Sequence, residues 1–264
     1  MQYKLIAADI DGTLLDSRGQ LSEATAQAIR DATAKGVTFV LATGRPFQGV
    51  EHFCRRLDLR GPVITYNGAM VVDAGTREIL YKQCLRPKEA ETIWSLAHSF
   101  RTDAYAWSDD HLYADRLDGR IQEYKLISGV EPELVTDFGA LAKAGISKIL
   151  WHDETGRISQ FLRELDPAQF PETTHCTSRP WFLEFFHRRA SKATALEQIG
   201  HLLNIRREEM IAIGDGYNDL SMIRYAGLGV AMANAPDEVR RHSPHITLSN
   251  DADGVAAVIK QFCL

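Results

Sequence analysis

Asp9 and Asp11 stand two apart in Asp9-Ile10-Asp11-Gly12-Thr13, directly after the apolar run Tyr3 to Ala8. In an extended chain, residues two apart point to one side, so the pattern predicts two carboxylates a few ångströms apart. Like charges at that separation need a reason. Together they could hold a cation, or one could attack phosphorus while the other handles a proton. A purely structural alternative also stands, in which an aspartate caps the next element and Gly12 supplies the bend.

A second acidic cluster, Gly214-Asp215-Gly216-Tyr217-Asn218-Asp219, also follows an apolar run, Met210 to Ile213. Helix capping by Asp219 and a turn at Gly216 would explain part of it, but that leaves Asp215 at the strand end without a role. If the two strands are neighbours, Asp9, Asp11 and Asp215 form an oxygen-rich, partly open cage suited to Mg²⁺. Lys192 falls in the first turn of an expected helix, where a cation opposes the positive end of the macrodipole. A phosphoryl group there would offset it, whereas a solvated lysine on a surface helix is the simpler alternative. Thr43-Gly44-Arg45-Pro46 places a hydroxyl and free backbone N–H groups ahead of another helix, a second anion cradle. No GxxxxGKS/T or GxGxxG pattern occurs, which leaves nucleotide loops poorly supported.

These groups need elements that bring them together. Strand-length apolar runs recur at Tyr3 to Ala8, Val37 to Ala42, Val63 to Thr65, Met210 to Ile213, Leu228 to Met232 and Ile246 to Leu248. They read as buried parallel strands. Between the first two lies a helical pattern from Ser22 to Lys35, with Ser22 as N-cap and Gly36 as the stop. A second helix is expected from Pro46 to about Leu57, and others over Ser191 to Asn204, Asp219 to Tyr225 and Asp253 to Phe262. The fold class is therefore α/β, a Rossmann-like parallel-sheet core whose strand ends form the site by default.

The middle of the chain differs in kind. After a hairpin over Ala69 to Gln83, helical patterns at Pro87 to His98, Gly119 to Ile127 and Thr155 to Leu165 alternate with strands near Ala104, Leu112, Lys148 and Trp181. Three of the four tryptophans lie between residues 85 and 160. The expected organisation is a core of residues 1–84 and 188–264 with an α+β cap, 85–187, inserted between its halves.

Four segments taken together, DIDGTLLD at 9 to 16, ATGRP at 42 to 46, Lys192, and GDGYND at 214 to 219, resemble the haloacid dehalogenase-like superfamily of phosphatases. Asn67-Gly68-Ala69 and the run Ala226 to Ala235 are similar to the Cof-type branch, which carries a large cap between its second and third motifs. Within that branch the chain looks most like the sugar-phosphate phosphatases. The resemblance implies that Asp9 is the nucleophile and Asp11 the acid, then the base. It implies that Thr43 and Lys192 hold phosphoryl oxygens, with Gly12, Gly44, Arg45 and Asn218 around the phosphate. It implies further that Mg²⁺ is bound by Asp9, the Asp11 carbonyl and Asp215, with Asp219 orienting metal waters and Lys192. One departure is Ala193, where the branch usually has glycine.

The resemblance thus implies a Mg²⁺-dependent phosphomonoester hydrolase acting on small phosphorylated metabolites, sugar phosphates favoured, through an aspartyl-phosphate. A phosphosugar mutase, a pyridoxal phosphate or flavin mononucleotide phosphatase, and a catalytically silent binding protein remain alternatives. Thirty basic against thirty-five acidic residues, with no basic run, make nucleic acid and anionic membranes poor partners. The longest uncharged stretches, Gly61 to Val72 and Tyr225 to Pro236, are twelve residues, short of a membrane span. With no signal-peptide pattern at its start, the chain is expected in the cytoplasm. Four widely spaced cysteines read as inert buried thiols rather than a disulfide framework or zinc site. For Tyr105, Trp107, His111, Tyr113, Arg179 and Trp181 of the cap, substrate contact and core packing both remain open.

Overall fold

The Leu5–Ala8 strand is wholly buried because it lies inside a sheet covered on both faces, which is why its sequence is continuously apolar. The computed structural model, which describes residues 3–264, shows a five-stranded sheet in the order His245–Ile246, Leu228–Ala231, Met210–Gly214, Leu5–Ala8, Thr38–Leu41. Every pair in it is parallel. One face packs Leu5, Ala7, Val40 and Ala212 against Ala195, Leu196 and Ile199 of helix Lys192–Leu203. Helices Glu23–Ala34 and Gly254–Phe262 pack on each other. Ser22 caps the first of these, its Oγ accepting from Thr25 N at 3.0 Å.

Two expectations for this region change. The Pro62–Thr65 strand meets the parallel sheet through a parallel bridge between Ile64 and Ala42, as expected, but its longer ladder is antiparallel to Met70–Asp73. The turn at Tyr66–Gly68 that joins the two strands makes this possible, because so short a connection can join only antiparallel neighbours. The helix expected from Pro46 is two short pieces, a 3₁₀ turn at Phe47–Gly49 and an α-helix at Glu51–Arg56. Pro46 lies outside the first piece, in extended backbone.

The chain divides into two compact units, one comprising the N-terminal segment to Tyr81 with Ser191–Leu264, the other Lys82–Ala190. The second unit is a six-stranded sheet in the order Thr173–Arg179, Phe182–His187, Lys148–His152, Asp103–Ser108, His111–Ala114, Pro132–Leu134. All pairs are antiparallel except the last. Helices Pro87–Phe100, Phe138–Ala144 and Thr155–Glu164 cover one face, burying Ile93, Trp94, Ile158 and Phe161 against Ile149, Trp151 and Phe185. Helix Arg120–Ser128 lies on the other, where Tyr124 stacks on Tyr105 and its hydroxyl accepts from Trp107 Nε1 at 3.1 Å. Tyr105 and Trp107 are thus core side chains. His111 instead bonds Glu133, and the Arg179 guanidinium stands 5.8 Å from the Trp181 ring.

Three cap elements carry no periodic signal: Pro132–Leu134, Phe138–Ala144 and the edge strand Thr173–Arg179, whose TTHCTSR is polar and largely exposed. Tertiary pairing alone makes them. Cys176, on that edge strand, is exposed rather than buried.

Candidate active site

Three neighbouring strand ends converge. Ala8 is level with Leu41 on one side and Ile213 on the other, so the chain leaves the sheet at one place as Asp9, Thr43 and Asp215. This is the crevice outside the carboxyl ends of parallel strands.

Lys192 enters it from the first turn of its helix, which Ser191 caps by accepting from Thr194 N at 3.1 Å. Its side chain is wholly buried, and Nζ donates to Asp9 Oδ1 and Asp219 Oδ1, both at 2.5 Å. Burial alone would discharge it, but the two carboxylates outweigh that and raise its pKa above the ordinary lysine value. The solvated-lysine alternative is therefore wrong, because the helix starts inside the crevice rather than on the surface. Asp219 is also more than a capping residue. Its Oδ2 accepts from the backbone N–H groups of Asp215 and Gly216, at 3.0 and 2.8 Å, which ties the second acidic loop to the lysine.

Burial pushes the Asp9 carboxyl up to about 8, with Asp219 and Asp215 adding to the effect and Lys192 opposing it. Asp215 is raised in the same sense, chiefly by burial, against the hydrogen bond from Thr13 Oγ1 at 2.8 Å. Carboxylate oxygens of Asp9, Asp215 and Asp219 lie within 4.8 Å of one another. One ammonium among three carboxylates leaves the cluster net negative when ionised. Among the described residues no hydrogen bond engages Asp9 Oδ2 or Asp215 Oδ2. An all-oxygen set with two uncommitted carboxylate atoms fits a hard divalent cation.

Asp11 departs from expectation. The strand stops at Ala8, and residues 9–14 form a turn in which Leu14 N donates to the carbonyls of Asp9 and Ile10. The two-residue period no longer applies, so Asp9 is buried while Asp11 is exposed. The Asp11 carboxylate lies outside the three-carboxylate cluster and is held by Arg45, whose Nε donates to Oδ2 at 2.9 Å and whose Nη2 donates to Oδ1. Arg45 thus faces Asp11. Thr43 is buried, and its Oγ1 accepts from Arg45 N at 3.1 Å.

Gly12 holds the 9–14 turn against Asp215. Its φ is +85°, and a Cβ there would sit 2.4 Å from Asp215 Oδ2. Sequence reasoning assigned no role to Thr13, which orients Asp215, or to Asn234, whose Nδ2 donates to the Gly12 carbonyl at 2.8 Å. Thr13 was visible in the DIDGT run, but its partner lies 202 positions away. Asn218 is exposed and its Nδ2 donates to Asn67 Oδ1 at 3.0 Å.

A Rossmann-like sheet with this acid and lysine arrangement at its strand ends defines a class. Residues 6–259 match the haloacid dehalogenase-like hydrolase family, to which the chain belongs. It is a phosphatase of that family. It is 34% identical to YxeH of Bacillus subtilis (strain 168) over 99% of each chain. It is 33% identical to the 5-amino-6-(5-phospho-D-ribitylamino)uracil phosphatase YcsE of the same organism, covering 100% of this chain and 97% of that one. A crystal structure of a haloacid dehalogenase-like hydrolase from Bacteroides thetaiotaomicron superposes with a TM-score of 0.87 at 31% identity, over 98% of this chain and 99% of that one. Among the described residues no helix is long and apolar enough to cross a membrane.

Proposed function

We propose that this phosphatase is a Mg²⁺-dependent phosphomonoester hydrolase acting on small phosphorylated metabolites, sugar phosphates favoured, through an aspartyl-phosphate on Asp9. The observation that carries the reading is the wholly buried Lys192 clamped between Asp9 and Asp219. A lysine bound to Asp9 Oδ1 fixes that carboxylate's rotation and leaves Oδ2 to attack. Attack forms the Oδ2–P bond and breaks the ester P–O bond, and Asp11, released from Arg45 and protonated when substrate binds, gives its proton to the departing alkoxide. Asp11 then takes a proton from water, which attacks phosphorus and releases inorganic phosphate and the Asp9 carboxylate. Thr43, Lys192 and the backbone N–H of Gly44 offset charge on the transferring oxygens, where catalysis is mainly positioning and electrostatics.

Asp9, Asp215 and the Asp11 carbonyl would hold Mg²⁺, with Asp219 acting through Lys192 and metal-bound water. The ion supplies charge neutralisation between an anionic nucleophile and an anionic substrate. The substrate class rests on likeness: YcsE, by its name, acts on a phosphorylated ribityl compound.

Phosphate release from a panel of sugar phosphates, pyridoxal phosphate, flavin mononucleotide and an aryl phosphate tests the reading. We expect release from several sugar phosphates with Mg²⁺ and none with chelator. Conversion of a hexose 1-phosphate to its 6-phosphate without free phosphate would favour a mutase instead. Binding without any turnover would favour a silent protein. Mg²⁺ at a hundred times its Kd should also stabilise the fold by about 2.7 kcal/mol. Asp215→Asn should remove most of that shift in a thermal melt. An equal Mg²⁺ shift in the variant would move the ion elsewhere.

A further inference from the structure

Residues 66–68 join three segments of the site, those carrying Thr43, Lys192 and Asn218. Tyr66 and Asn67 have φ of +51° and +55°, and Gly68 follows at +95°, three consecutive left-handed residues. Such backbone is costly for a tyrosine and persists only where surroundings impose it. Here they do. Tyr66 N donates to the Arg45 carbonyl at 3.2 Å and Asn67 N to the Thr43 carbonyl at 2.9 Å. Gly68 lies so close to the start of the lysine helix that a Cβ would be 2.0 Å from the Ser191 carbonyl oxygen. The turn thereby fixes Thr43, Lys192 and, through the Asn67 side chain, Asn218.

The Asn67 carboxamide is half-buried and lies over Gly44, where a Cβ would come 3.0 to 3.3 Å from its atoms. Its Oδ1 is taken by Asn218 Nδ2 at 3.0 Å. Among the described residues nothing accepts from its Nδ2. The acceptor end is fixed and the donor end is uncommitted, beside the Thr43-Gly44 cradle that the proposed phosphatase reaction needs for phosphoryl oxygens.

We propose that Asn67 is a further phosphate-binding residue, donating from Nδ2 to a phosphoryl oxygen of the substrate and held in that orientation by Asn218. This rests on the phosphatase reading above. Asn is suited to the position because it tolerates left-handed backbone and carries a donor, properties that few side chains combine.

Two variants separate binding from structure. Asn67→Asp keeps size and backbone tolerance but replaces the donor with an anion. Asn67→Gly keeps the backbone and removes the group. Aryl phosphate turnover with Mg²⁺ is measured beside binding of inorganic phosphate by calorimetry, with melting temperatures as the check on folding. For N67D we expect at least a 30-fold loss in kcat/KM and a matching weakening of phosphate binding, with the melting temperature kept. For N67G about a 10-fold loss in both is expected. Because phosphate binding is read independently of turnover, a wild type that binds phosphate without hydrolysis still decides the role of Asn67. A wild type that does neither overturns the phosphatase reading and this inference with it. Active wild type with N67D equal to it in phosphate binding overturns this inference alone.

Discussion

Asp9→Asn should abolish turnover, by at least about 10⁴-fold in kcat, while leaving the fold intact. The amide has the size of the carboxyl it replaces but no anionic oxygen to attack phosphorus. Stability should hold because the native site disfavours a charge at residue 9: burial lifts its pKa to about 8. Lys192 keeps Asp219 as a partner. In metal-free buffer the variant should therefore melt at or above the wild-type temperature, and its response to Mg²⁺ should shrink. Single-turnover release of phosphate is the decisive assay. Undiminished Mg²⁺-dependent release from the variant would remove Asp9 as nucleophile and return attention to a water-only mechanism.

Lys192→Met should cost both stability and catalysis. Methionine fills most of the volume left by the lysine stem but supplies no charge. Asp9 and Asp219 would then remain buried together without their shared cation. Removing one partner of a buried ion pair costs about 3 to 5 kcal/mol, against about 0.5 kcal/mol or less for a surface lysine. Denaturant unfolding distinguishes the two without any assay of function. Adding Asp9→Asn to the Met variant should recover part of the loss, because it removes one of the two stranded charges. A double-mutant cycle showing no coupling would mean that the lysine holds neither carboxylate. Turnover in the single variant should fall by about 10²-fold or more, the size seen when one preorganised donor to a developing charge is lost.

Much of this site was legible in the sequence because its chemistry uses residue types that local structure does not otherwise explain. Asp215 after a buried strand and Lys192 at the positive end of a helix both lacked a sufficient local reason, and both turned out to be partners in one cluster. Local rules misled where extended backbone gave way to a turn. The pairing of Asp9 with Asp11 assumed a strand that continues to Asp11, but the turn at 9–14 sends one carboxylate inward to Lys192 and the other outward to Arg45. The break in the second helix and the antiparallel partner of the third strand were missed for a related reason, since short apolar runs do not reveal their neighbours.

By itself, the sequence determined the alternation of strands and helices, the cap at Ser22, and the inventory of groups able to do chemistry. These depend on periodicity and on side-chain types within a few residues of one another. Only the tertiary structure decided which groups meet. Asp9 and Lys192 are 183 positions apart, Thr13 and Asp215 are 202, and Asn67 and Asn218 are 151. Such contacts follow from strand order and from where each strand stops. Strand order is set by the packing of whole faces, and no short segment carries that information.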